Sequence, residues 1–393
     1  MKVSNEANLL EAATLVQEGC PAFFKFLTAN DTGKTGAHQC GLYVPTEFAE
    51  MVFNGSCVKG ENKNLTIQIT WNNGKKTESS FKWYGKKKNP ESRITQFGRG
   101  FEYLRPEYTG ALVLFAKEDD RYRAFVFNSD EEMNEFWDAS GLSPADAKKM
   151  IGLGPKKLEE QAFADFIKNL QVDFPSTEEM SAAARQIENK VYDHVEYVKT
   201  KPDEKLINWL ETESRLWSAI ESNRYGGRIK NGFDSIEDFS KMAKSFLNSR
   251  KSRAGKSLEH HLSAIFDANG LEFQGQVRTE GNKKPDFIFP SSEAYHNSAY
   301  PEKKLVFLAA KTTCKDRWRQ ILNEANRFRK RTKFLCTLQQ GMTENQMNEM
   351  ANENVVLVVP EAYEATYSKN TNLKILTMAQ FISTVQKIQR EPA

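Results

Sequence analysis

Four apolar runs near the C-terminal end constrain the fold most: KPDFIFP (284 to 290), KLVFLAA (304 to 310), TKFLCTL (332 to 338) and VVLVV (355 to 359). Each has the length and continuity of a strand buried on both faces. The segments 316 to 330, 343 to 353 and 378 to 389 carry helical patterning between and after them. Strands alternating with helices predict an α/β layer around a partly parallel sheet. The chain ahead of this block reads differently. Its first 140 or so residues hold short alternating runs such as LTIQITW (65 to 71) and ALVLFA (111 to 116), separated by Asn/Gly/Lys turns, which predicts a mainly β barrel or sandwich. Ser176 and Glu179 after Pro175 form a capping box. From there to residue 270 the pattern is helical, ending in GKSLEHHLSAIFDANG, where Leu258, Leu262, Ile265 and Phe266 make one apolar stripe and Gly270 the stop. These shifts divide the chain into 1–165, a linker at 166–180, and 181–393.

Several classes are excluded early. The five cysteines, Cys20, Cys40, Cys57, Cys314 and Cys336, include no CxxC pair, so neither a disulfide framework nor a zinc knuckle is indicated. The acidic residues in MKVSNEANLLEAATLVQEGC do not suit a signal peptide, and no 18-residue apolar run exists; a cytoplasmic protein without a membrane segment is expected. Gly33-Lys34-Thr35 and Gly255-Lys256-Ser257 end like phosphate loops, but Thr28 and Arg250 stand where the upstream glycine belongs. His260-His261 flanks a helix stripe, which suits a structural role.

The stretch with chemistry is KKPDFIFP followed by KLVFLAAKTTCKDRWRQILNEANRF. Asp286 stands near the start of one buried strand and Lys311 at the end of the next, so both can enter one cleft. A carboxylate there can hold Mg²⁺, which binds through one or two carboxylates and substrate phosphate oxygens, and a lysine can orient or deprotonate the attacking water. A Pro-Asp pair before a strand is also an ordinary turn. Where nucleases of PD-(D/E)xK pattern place a second acid, this chain has Ala309. Glu324 on the following helix and Glu259 on the earlier one are the alternatives; a pair of Glu324 with Gln320 or Arg327, and a surface position for Glu259, are the plainer readings.

GNKKPDFIFPSSEAYH, AAKTTCKDRWRQILNEA and SRKSRAGKSLEHHL resemble the catalytic domain of the EcoRII-type restriction endonucleases, of type IIE in the PD-(D/E)xK superfamily. TANDTGKTGAHQCGLYVP and SRITQFGRG resemble the effector domain of the same family. The resemblance implies a homodimeric, Mg²⁺-dependent endonuclease cutting double-stranded DNA at a CCWGG- or CCNGG-class site. It further implies a C-terminal restriction-endonuclease-like α/β domain with helical elements before it, and an N-terminal B3-like pseudobarrel that binds a second, stimulating copy of the site. A cognate cytosine methyltransferase acting on that site is the implied partner. Asp286, Lys311, Glu324 and Glu259 would form the active site, Asp286 and Glu324 holding the metal, with Tyr295 and Arg317 as further catalytic residues. Effector DNA would be held by His38, Tyr43, Lys86, Lys88, Glu91 and Arg93, with Pro90 standing as an insertion relative to the family string.

Residue chemistry supports parts of this on its own. Lys315-Asp316-Arg317 offers two donors and one acceptor suited to G·C pairs in a major groove, although Asp316 could equally cap a helix. Lys86, Lys87, Lys88 and Arg93, near Trp83, Tyr84 and Phe97, form a basic cluster suited to phosphate and base contacts. Trp209, Arg215 and Trp217 could fill the gap left by a flipped base, or simply form a core stripe. With 55 Lys+Arg against 52 Asp+Glu the net charge is only +3, which by itself points away from polyanion binding. Between Pro301 and Lys333, however, 11 basic residues face three acidic ones. The expectation is a segregated surface, with KEDD and SDEEMNEFWD turned to solvent away from DNA.

Overall fold

The computed structural model describes residues 2–33, 41–151, 157–254, 256–280, 283–324, 326–328 and 330–391. Two sheets organise them. The N-terminal sheet contains β1 (Ala22–Phe26), β2 (Leu42–Val44), β3 (Asn62–Trp71), β4 (Lys76–Tyr84), β5 (Ser92–Thr95), β6 (Leu112–Glu118), β7 (Arg121–Phe127) and β8 (Met150–Ile151). Their order is β2-β5-β4-β3-β7-β6-β1-β8, antiparallel except for the parallel β3–β7 pair. The alternation predicted by sequence is used twice. Phe23, Phe115, Ile67, Ile69 and Phe81 bury one face against α2 (Thr46–Val52). On the other face Phe24, Phe26, Leu114 and Phe125 pack under α1 (Lys2–Gln17) and α3 (Asp130–Ser140). A sheet covered on both faces explains why its strands look so apolar.

The helical stretch comprises α4 (Lys157–Asn169), α5 (Thr177–Tyr192), α6 (Tyr197–Thr200), α7 (Pro202–Asn231), α8 (Ile236–Ala254) and α9 (Ser257–Ala268). Ser176 and Glu179 form the anticipated capping box of α5. The span expected as a linker, 166–180, is not an extended tether. It holds the end of α4 and the start of α5, because Phe163, Met180 and Ile187 share a small core with Leu216 and Trp217 of α7. That core also fixes Trp217, which stacks on Phe174 at 5.0 Å. Trp209 is buried, and Arg215 donates two hydrogen bonds to Glu159 (2.9 and 2.7 Å). All three are committed to packing, which removes them as base-flipping candidates.

The C-terminal sheet runs β14-β13-β12-β11-β10-β9, from β9 (Gln274–Gly275), β10 (Phe287–Phe289), β11 (Val306–Lys311), β12 (Lys333–Thr337), β13 (Val355–Val359) and β14 (Ile375–Thr377). The last four strands are mutually parallel, whereas β9, β10 and β11 are antiparallel neighbours. α10 (Ser292–His296), α11 (Glu344–Asn352), α12 (Glu361–Glu364) and α13 (Met378–Arg390) complete the layer. Every residue of β10, β12 and β13 is buried. The helix expected across 316 to 330 is instead two short 3-10 helices, Arg317–Asn323 and Asn326–Phe328. No described helix is long and apolar enough to cross a membrane.

Candidate active site and its cover

β10 and β11 pair in the register Phe287↔Leu308, which sets Asp286, one residue before β10, beside the end of β11. There its carboxylate is held on both oxygens. Oδ2 accepts the Ala310 N–H (2.8 Å) and lies 3.4 Å from Lys311 Nζ, while Oδ1 accepts from Gln276 Nε2 (3.0 Å). Glu324, at the end of the first 3-10 helix, puts Oε1 at 4.0 Å from Lys311 Nζ. Ala309 shares a face with Lys311 by the two-residue strand period and is fully buried. Three of the four sequence candidates therefore meet directly. The fourth, Glu259 on α9, arrives through Gln276, which donates to its Oε2 (2.7 Å), and through Lys256 (3.2 Å). The anticipated pair of Glu324 with Arg327 is not formed: the Arg327 guanidinium instead donates to backbone carbonyls, among them those of Ala294 (3.3 Å) and Asn297 (3.1 Å). Tyr295 is buried and its hydroxyl donates to Glu280, in the loop behind the cleft where Thr279 also donates to the Glu324 carbonyl (2.8 Å).

The electrostatics leave this cluster short of positive charge. Burial raises the Glu324 carboxyl to about 7, with Lys311 opposing and Asp286 reinforcing the shift, and burial next to Asp286 also raises Glu259. Glu324 Oε2 is buried without a hydrogen-bond partner among the described residues. Buried acceptors left unpaired cost about 1–3 kcal/mol. A hard divalent cation between Asp286 and Glu324 answers both deficits. Two carboxylates would suffice for a cation that keeps waters and takes phosphate oxygens as its remaining ligands.

The readout candidates lie differently from expectation. Asp316 and Arg317 are exposed but Lys315 is buried, with its ammonium on Asn128 and its pKa pushed down to about 8 by desolvation. The cause is α3. The Asp130 carboxylate, buried at the first turn of that helix, accepts the backbone N–H groups of Lys315 (3.0 Å), Asp316 (2.5 Å) and Arg317 (2.8 Å), and Asp316 Oδ2 returns the contact to the Asp130 N–H (3.1 Å). At the other end of α3, Arg250 donates to the carbonyls of Asp138 (3.3 Å) and Ala139 while paired with Glu221 (2.6 Å), a cation set against a helix C-terminus. The acidic stretch SDEEMNEFWD keeps Glu131 and Glu135 exposed, but it does not lie away from the candidate site. It bounds a cleft of about 610 Å³ with Glu131, Glu135 and Asp138 on one side and Glu259, Lys311 and Arg317 on the other.

In the N-terminal sheet, Tyr43 lies opposite Arg93 in the β2–β5 register, and Glu91 accepts from Lys87 (2.7 Å) and Arg93 (3.2 Å). Lys86 and Lys88 are exposed in the turn after β4. These five candidates therefore share one end of the sheet, while His38 lies outside the described residues. Two of the aromatic neighbours cannot contact bases: Trp83 and Phe97 are buried. Tyr84 remains half-exposed, under Lys87 at 4.5 Å. Sequence reasoning missed both Gln276 and Asp130. Ser129 and Glu132 spell a capping box, but nothing local names its partner 186 residues away.

A strand pair that delivers a carboxylate and a lysine to one sheet edge, with a second carboxylate entering from the next segment, defines a nuclease of the PD-(D/E)xK class. The family model "EcoRII C terminal" matches residues 217–382 and "Restriction endonuclease EcoRII, N-terminal" matches 17–137. The type II restriction enzyme EcoRII of Escherichia coli is 34% identical over 94% of this chain and 95% of its own length; type II restriction enzyme SsoII of Shigella sonnei is 27% identical over 40% and 56%. Metal-depleted Ecl18kI with uncleaved, modified DNA overlays at a TM-score of 0.46 with 23% identity, covering 59% of this chain and 84% of that one, and a PspGI–substrate DNA complex at 0.44 with 17%, covering 55% and 93%. The chain belongs to the EcoRII family of type II restriction enzymes and is a site-specific deoxyribonuclease.

Proposed function

We propose that the protein makes Mg²⁺-dependent double-strand cuts at a CCWGG- or CCNGG-class site and is stimulated by a second copy of the site bound at the N-terminal, B3-like domain. The observation that carries this is the convergence of Asp286, Lys311 and Glu324 at one sheet edge. Asp286 and Glu324 would hold Mg²⁺. What the cation supplies when bound is neutralisation of phosphate charge and a more acidic neighbouring water. Lys311 then orients or deprotonates the attacking water and offsets charge on the pentacoordinate phosphate. Attack breaks the phosphate–O3′ bond, leaving 5′-phosphate and 3′-hydroxyl ends and staggered 5′ overhangs. Arg317 reaches the same cleft and serves catalysis or readout together with Lys315 and Asp316; Tyr295 acts by holding the loop behind Glu324.

The two-site reading is supported by the placement of α3. While Asp130 occupies the backbone of 315–317, Lys315 is unavailable to a base pair and the acidic face of α3 lines the cleft that DNA would enter. Effector DNA held by His38, Tyr43, Lys86, Lys88, Glu91 and Arg93 would favour the state in which this contact is released. The working form is a cytoplasmic homodimer whose host sites are protected by a cognate cytosine methyltransferase. The chain divides functionally into 1–165, 166–180 and 181–393. Incubating the purified protein with a plasmid carrying several sites, with and without Mg²⁺, and sequencing the product ends tests the reading: metal-dependent staggered cuts at one motif are expected, and no cleavage at any Mg²⁺ concentration would sink it. A regulator that binds DNA without cutting is the reading such a negative result would favour.

A further inference from the structure

Between β9 and β10 the chain turns at Gln276 with φ of 54°, a left-handed backbone that residues other than Gly, Asn and Asp adopt at a cost. The turn is held by the Gln276 N–H on the Asp286 carbonyl (3.1 Å). Its result is the aim of one side chain. Nε2 stands 2.7 Å from Glu259 Oε2 and 3.0 Å from Asp286 Oδ1, so carboxylates from α9 and from the edge of β10 meet on a single NH₂ group. An amide has two N–H donors, and each carboxylate can take one. Asp286 has its other oxygen occupied by Ala310 and Lys311. Among the described residues, Oδ1 has no donor but Gln276, and the Glu259 carboxylate is otherwise held only by Lys256, the residue just before its own helix. Gln276 is itself exposed, so packing does not account for its strained turn.

We propose that Gln276 is a positioning residue of the cation site: its amide bridge fixes the rotation of the Asp286 carboxylate and draws Glu259 into the outer shell. It touches neither the scissile phosphate nor the cation and acts through Asp286. The inference rests on the reading that Asp286 and Glu324 hold a divalent cation. Partners that orient metal-binding carboxylates from the outer shell typically govern affinity about 10–100-fold, and that is the effect expected here.

The test compares the full-length wild-type protein with Gln276→Ala and Gln276→Asn, each with a duplex carrying the site. Mn²⁺ binding is read by electron paramagnetic resonance, and Mg²⁺ dependence by cleavage. Asparagine tolerates the left-handed turn and keeps an amide, but is one methylene too short to bridge both carboxylates. Both variants should weaken Mn²⁺ binding about 10–100-fold, with cleavage at saturating Mg²⁺ within a few-fold of wild type. In a Glu259→Ala background, Gln276→Ala should add less than it does alone, because the two act through one bridge. Unchanged Mn²⁺ affinity in both variants overturns the inference. So does a normal Gln276→Asn beside a weakened Gln276→Ala, since that assigns the effect to the turn. A wild-type protein that neither binds Mn²⁺ nor cleaves removes the nuclease reading as well, whereas a competent wild type with unaffected variants removes only the role of Gln276.

Discussion

The two regions proposed to meet DNA are built in opposite ways. The catalytic cluster is assembled from buried strand ends, with Asp286, Lys311 and Glu324 tied to one another and to backbone, and it lies under α3 from the other domain. The N-terminal cluster sits open at a sheet edge, where Lys86 and Lys88 project from a turn and Glu91 is paired with Lys87 and Arg93. Rigidity suits chemistry, because a pre-set site pays no reorganisation during reaction. An open basic edge suits first encounter with a polyanion. On the proposed reading, this chain separates capture from cutting, and α3, which borders the cleft, belongs to the domain assigned to capture.

The comparison breaks most sharply at the catalytic cluster. Asp286→Ala should lower cleavage by about a thousand-fold or more while leaving metal-free DNA binding in place, since it removes the anchor of the cation and the partner of Lys311; cleavage assays beside gel-shift titrations check this, and surviving cleavage would refute the metal role. The isosteric Glu324→Gln should fall by about a hundred-fold. At the open edge, Lys86→Ala and Lys88→Ala should each reduce the salt slope of effector-duplex binding by about one and weaken it across sequences. The unstimulated rate of cutting should stay unchanged, as neither residue approaches the cleft.

A further expected effect concerns pH. Burial lowers the Lys315 pKa from 10.5 to about 8 in the docked state. Between those values the undocked form holds a proton that the docked form has released, so raising pH through this window favours docking by up to about 3 kcal/mol. Below about 8 the lysine is charged in both forms, its burial penalty on docking is constant, and docking no longer changes with pH on its account. Amide hydrogen exchange at residues 315–317, corrected for intrinsic rates, should show protection growing from pH 8 to 10.

Much of this was legible locally. The runs 304 to 310, 332 to 338 and 355 to 359 are buried strands because continuous apolar sequence can be satisfied only where both faces are covered. The placement of Asp286 and Lys311 followed from strand ends, whereas the missing acid at Ala309 left Glu324 and Glu259 as alternatives and only the family resemblance singled out Glu324. An acidic run looks the same wherever on the surface it lies, and SDEEMNEFWD, with Glu131 and Glu135 exposed, borders the cleft rather than lying away from it. The 316 to 330 segment was read as a helix on its pattern, yet its tertiary bonds hold it as tighter turns: the three N–H groups at its start go to Asp130, and Arg327 near its end is spent on carbonyls of the 294–300 segment. Gln276 carries no signature beyond following Gly275.

Asp130→Asn tests most directly whether α3 holds the catalytic half closed. An amide can accept at one oxygen only and turns its own N–H groups toward the donors of 315–317, at a cost of on the order of 2–3 kcal/mol in charge-assisted hydrogen bonds. Cleavage of a one-site duplex should be measured for wild type and Asp130→Asn, with and without a second site-bearing duplex. The account predicts a variant about ten-fold or more faster than wild type on one site and nearly indifferent to the second duplex. A variant as slow as wild type and as strongly stimulated would contradict it.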